Sequence, residues 1–82
     1  MGKETINTFG SLKIKMDKKD TNSRDKKPPH VSFVVNNSET KPHVYFDKLN
    51  EVVGNDKDEK AAIYWLRDNK SKLIEQYNKW NS

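Results

Sequence analysis

Two stretches of the chain alternate apolar and polar residues with period two, the mark of half-buried strands whose successive side chains point to opposite faces. Leu12, Ile14 and Met16 share one face and Lys13 and Lys15 the other. After Pro28 and Pro29, Val31, Phe33 and Val35 form an apolar face, while Ser32, Val34 and Asn36 form a mixed one. Asn36 to Thr40 has the composition of a hairpin connection, and Val44 and Phe46 then resume the alternation against His43, Tyr45 and Asp47. Pro42 limits where this third strand begins. Leu49, Val52 and Val53 are candidates for a short fourth strand or a turn before the breaker Gly54-Asn55.

From Asp56 the period becomes helical. Asp56 with Glu59 three places on fits an acidic N-cap with the acceptor of a capping box, so the helix is expected to start at Lys57. Ala62, Ile63, Leu66, Leu73, Ile74 and Tyr77 fall on one stripe, with Trp65 and Trp80 near its edges, interrupted by Arg67 to Lys72. This predicts one bent helix or two short ones meeting near Asp68-Asn69. Helices of this length are marginal alone in water, so the stripe must be covered by a sheet. The expected fold is α+β: a three- to four-stranded antiparallel sheet covered on one face by the C-terminal helical segment. Its inner face would carry Leu12, Ile14, Met16, Val31, Phe33, Val35, Val44 and Phe46; its outer face Lys13, Lys15, His30, Ser32, Val34, His43 and Tyr45.

Composition refines this picture. The 82 residues suit a single domain spanning 1–82. Only 32% are hydrophobic and 34% are charged, so the core must be small. The net charge of +4 sits wholly in residues 1–30, which hold eight Lys or Arg and four Asp or Glu, whereas residues 31–82 hold eight of each. Residues 17–29 read as a long polar basic loop and residues 1–8 as a flexible leader. There is no cysteine, which excludes disulfides, thiolate metal sites and a cysteine nucleophile. No apolar run is long enough to span a bilayer, and the first residues lack the apolar centre of a signal peptide; a cytoplasmic location without membrane partners is expected.

The order of parts, FGSLKIKM, a polar loop, KPPHVSFV, PHVYFDKLNEVVG and AAIYWLRDNKSKLIEQYNKW, resembles the small bacterial proteins of the domain of unknown function 4160 family over residues 9–80. In that family a Pro-Pro-His-aromatic-His-Val motif opens the second strand, and a tryptophan lies near the end of a closing helix. Pro28, Pro29 and His30 match; Val31 stands at the aromatic position, Ser32 at that of the second histidine, and Lys27 where a further histidine often precedes the prolines. These departures remove most of a histidine cluster. Some members look like parts of toxin-antitoxin pairs, so the resemblance implies a partner more than a reaction.

His30 and His43 are the only histidines, and their matched parity on neighbouring strands puts them within touching range. Two imidazoles alone make an incomplete zinc site, so no metal and no cofactor are expected. His30 is the weak catalytic candidate, a general base for nuclease chemistry with Lys13 or Lys15 on a phosphate and Tyr45 on a base. The glycines are isolated and form no phosphate loop, and no Ser-His-Asp set is recognisable. The expectation is a noncatalytic protein-interaction module, such as a toxin-antitoxin component or phage-type inhibitor. Its binding residues would be Lys13, Lys15, His30, His43 and Tyr45, with Trp65 and Trp80 as aromatic anchors or, alternatively, core-edge residues. Nucleic-acid binding through the same basic, aromatic face is the alternative.

Overall fold

The computed structural model describes residues 2–18 and 28–80. Four strands, β1 (Gly2–Phe9), β2 (Leu12–Lys18), β3 (His30–Val35) and β4 (Ser38–Tyr45), form an antiparallel sheet in the order β1-β2-β3-β4. A 3₁₀ segment, Phe46–Glu51, follows β4, and helices α1 (Lys57–Asp68) and α2 (Lys70–Trp80) cover one face. The fold is α+β, a sheet under a C-terminal helical layer. No helix among the described residues is long and apolar enough to cross a membrane.

The inner face is built by the alternation read from the sequence. Leu12, Ile14, Met16, Val31, Phe33 and Val44 are buried against Ala62, Ile63, Leu66, Leu73 and Tyr77, joined by Phe46 and Leu49 from the 3₁₀ segment. Val35 is only partly buried and packs at the margin, as do Trp65 and Trp80. Phe9 meets Trp65 with ring centroids 6.0 Å apart, and the Lys18 ammonium stands 5.1 Å over Trp80. Both tryptophans therefore help to close the core edge.

The helix boundaries follow from side-chain chemistry. The Glu59 backbone N–H donates to Asp56 Oδ1 at 2.9 Å, and Glu59 Oε1 reaches back to accept from the Asn55 N–H at 3.1 Å. This is the capping exchange expected of Asp56 and Glu59, displaced by one residue on the return side. The break between helices falls at Asn69, whose backbone and side-chain amides both donate to the Trp65 carbonyl, at 3.0 and 2.9 Å. The two-helix alternative is the one adopted.

Four expectations are corrected. Residues 2–9 form edge strand β1 in place of a flexible leader. Pairing with β2 shifts between Thr5 and Asn7, so Ile6 occupies a bulge, and Phe9 lies opposite Leu12 although Ile6 and Phe9 are three residues apart. A bulge reverses side-chain parity, which hides the strand from a period-two reading. The fourth strand thus comes from the N-terminus, and the segment around Leu49 is 3₁₀ helix ending before Val52 and Val53. The second hairpin turns on Asn36 and Asn37 alone, both with positive φ, 51° and 65°. Paired left-handed residues are what a tight two-residue hairpin requires, so Ser38 to Thr40 are strand. Finally, Pro42 lies inside β4. Between the pairs Val31–Val44 and Phe33–Lys41 two residues of β4 face the single Ser32, so Pro42 sits at a bulge of an edge strand, where its missing N–H breaks no ladder.

β2 also runs on through Asp17 and Lys18, shortening the predicted 17–29 loop from its start. Most of that loop, residues 19–27, lies outside the described residues.

Candidate functional site on the outer sheet face

The outer face is built by residues of the opposite parity. Lys3 of β1 pairs with Asp17 of β2, and His30 of β3 with Tyr45 of β4. Closer to the hairpin turns, Lys15 pairs with Ser32 and Lys13 with Val34. Although no helix covers this face, His30 and Ser32 are buried, at 3% and 2% exposure, and Val34 reaches 9%. Lys15 and Tyr45 are half-buried, and Lys13 and His43 are exposed.

His30 is the hub. Its Nδ1 lies 2.8 Å from the Pro28 carbonyl oxygen, and its Nε2 lies 3.2 Å from Asp17 Oδ2. A carbonyl can only accept, so Nδ1 donates to it, while Nε2 faces the carboxylate. Around the ring stand His43, Tyr45 and Tyr77, with centroids at 5.2, 5.5 and 5.5 Å, and His43 and Tyr45 stack at 5.9 Å with an interplanar angle of 11°. The β2–β3 ladder ends at Lys15–Ser32, and past this end Tyr77, from the helical layer, meets His30. Burial, with Asp17 and Tyr45 nearby, raises the Tyr77 phenol above its ordinary value.

Next to this hub lies a polar chain. The Lys3 ammonium donates to Ser32 Oγ at 2.8 Å and pairs with the Glu39 carboxylate, while the Ser32 hydroxyl donates to the Pro42 carbonyl at 2.8 Å. The hydrogen bond from Lys3 holds the Glu39 carboxyl below its ordinary value, against the effect of desolvation, with further help from the charges of Lys3 and His43 and from Ser32. The bulge at Pro42 and His43 turns the Pro42 carbonyl to the hydroxyl it satisfies.

The structure thus brings His30, His43 and Tyr45 together, with Lys15 opposite Ser32 and Lys13 further along the same face toward the hairpin turns. Trp65 and Trp80 belong to the helical layer and are not part of this cluster. Both ring nitrogens of His30 are engaged, Nδ1 by the Pro28 carbonyl and Nε2 by the Asp17 carboxylate. Among the described residues no group of three or more His, Asp or Glu is placed to hold a metal ion. Sequence reasoning missed Lys3, Asp17, Glu39 and Tyr77. Asp17 continues the parity of Lys13 and Lys15 by one more step, a signal that was present. Lys3 and Glu39 are hidden by the bulges of β1 and β4, and Tyr77 has the spacing of an ordinary core residue.

The chain matches no protein-family model, no curated protein and no solved structure.

Proposed function

We propose that this protein is a noncatalytic binding protein that holds a protein partner on the outer face of its sheet. The observation that carries the reading is the arrangement of that face. A dry centre of His30 and Ser32 is flanked by the stacked pair His43–Tyr45 and rimmed by Lys13, Lys15 and the Lys3–Glu39 pair. Accessible aromatic side chains fixed over a buried support, with charge at the rim, fit the layout of protein interfaces. Engagement of both His30 nitrogens supports a positioning part for this residue, setting the rings of His43 and Tyr45, over a chemical one. The resemblance carried by Pro28-Pro29-His30 and the element order supports the same reading, since it implies a partner. A toxin-antitoxin component or a phage-type inhibitor is a role of this kind.

Lys13 and Lys15, close together on the same face as Tyr45, favour nucleic acid as the second reading. Asp17 and Glu39 share that face and would repel a polyanion, so the protein partner is preferred.

Affinity capture from cells of the source, comparing the unchanged chain with a His43→Ala, Tyr45→Ala double variant, tests the reading. A stoichiometric protein retained by the first and lost by the second is the expected result. Equal capture by both would show that the wrong surface has been assigned, and retained RNA eluting steeply with salt would move the conclusion to the second reading.

A further inference from the structure

The outer face ends, away from the histidine cluster, in a concavity between the two hairpin turns. It is a shallow, open depression of about 320 Å³ lined by Gly10, Ser11, Lys13, Val34, Asn36 and Asn37. Val34 is the one large apolar side chain of the lining. The polar side chains present are one ammonium, one hydroxyl and two carboxamides, and every one of them can donate a hydrogen bond.

Backbone geometry shapes the two turns that carry these groups. Gly10 has φ +60°, the left-handed conformation that favours glycine, and the Asp58 carboxylate of α1 lies close to it, 2.5 Å from where a Cβ would stand. Asn36 and Asn37 occupy the left-handed region, which asparagine tolerates better than other side chains. Lys13, directly opposite Val34, has no ion-pair partner among the described residues. Two carboxylates come near, Asp58 against Gly10 and Glu39 opposite Val34, but neither lines the concavity.

We propose that this concavity is a binding site for a small oxyanion, a carboxylate or a phosphate group, with Lys13 as the charged contact and Ser11, Asn36 and Asn37 as neutral donors. A charged acceptor makes stronger hydrogen bonds to such donors than a neutral one, which sets the ligand class. The site is open to solvent, so screening keeps its affinity weak, about millimolar. It does not depend on the outer face holding a protein.

The test is a ¹⁵N-correlation titration of the full chain with sodium phosphate and, separately, sodium acetate, against sodium chloride at matched ionic strength. The expected result is a saturating shift of the Gly10, Ser11, Asn36 and Asn37 amides with phosphate, acetate or both, the stronger response telling which group is preferred. Lys13→Gln should weaken it at least tenfold, and Lys15→Gln, on the same face but outside the lining, should leave it within about twofold. Absence of saturation at tens of millimolar, an equal response to chloride, or a response that survives Lys13→Gln would each overturn the proposal.

Discussion

The two faces of this sheet bury residues by different means. On the inner face Leu12, Ile14, Met16, Val31, Phe33 and Val44 disappear beneath a helical layer, and nothing about them is directional. On the outer face His30 and Ser32 are as fully buried without a helical layer over the face, Tyr77 of α2 meeting the His30 ring past the end of the β2–β3 ladder. Their burial is directional, each polar atom facing a named partner: Pro28 and Asp17 for His30, Lys3 and Pro42 for Ser32. The inner face derives its stability from area removed from water, which tolerates changes of apolar shape. The outer face derives its order from pairing, where loss of one partner strands another. A surface ordered in this way is suited to presenting His43 and Tyr45 in one arrangement.

This contrast sets the sizes of the expected effects. Phe33 is fully buried at the centre of the inner face. Phe33→Ala should cost about 3–5 kcal/mol, a large part of the stability of so small a domain, read as a lower urea midpoint. His30→Ala should cost less, about 2 kcal/mol, because the ring contacts and two polar contacts go but less apolar volume is lost. His30→Phe separates the two contributions. It retains a ring against His43, Tyr45 and Tyr77 and removes the contacts to Pro28 and Asp17. If pairing orders the outer face, the phenylalanine variant is destabilised nearly as much as the alanine one. Wild-type stability for His30→Phe would erase the distinction between the faces.

The same contrast explains what could be read in the sequence. Inner-face positions were legible because hydrophobic periodicity reports burial against a layer, and from Leu12 to Phe46 the buried apolar residues fall where alternation puts them. The start of α1 was legible because a capping exchange is local, resting on Asp56 and Glu59 alone. The joint presence of His30, His43 and Tyr45 on the outer face followed from parity. The burial of His30 and Ser32 did not, because it depends on Lys3 and Glu39 arriving from strands that carry bulges, and on Tyr77 arriving from a helix at the far end of the chain. The bulge at Ile6 inverts parity without leaving a composition signal, and Pro42 marks a break in its strand without telling which side chains that break brings to the outer face. The residues that make the outer face unusual are therefore those that local patterns reveal least.

The smallest expected effect concerns the rim of the outer face, and it depends on pH. The Glu39 carboxyl is held below its ordinary value of 4.5, chiefly by its hydrogen bond from Lys3. Protons therefore bind Glu39 in the unfolded chain before they bind it in the folded one. Its contribution to stability is complete above the unfolded value and is lost as pH falls through the lower, folded value. The pair is solvent-exposed in large part, so Glu39→Gln should cost only about a few tenths of a kcal/mol near neutral pH. The difference between Glu39→Gln and the unchanged chain, followed by urea unfolding, should shrink as pH is lowered from about 6 to about 3. Inner-face variants such as Phe33→Ala carry no titrating group, so their destabilisation should stay level over the same range. A Glu39→Gln difference that also stays level would mean that the Lys3–Glu39 pair contributes no ordering to this face.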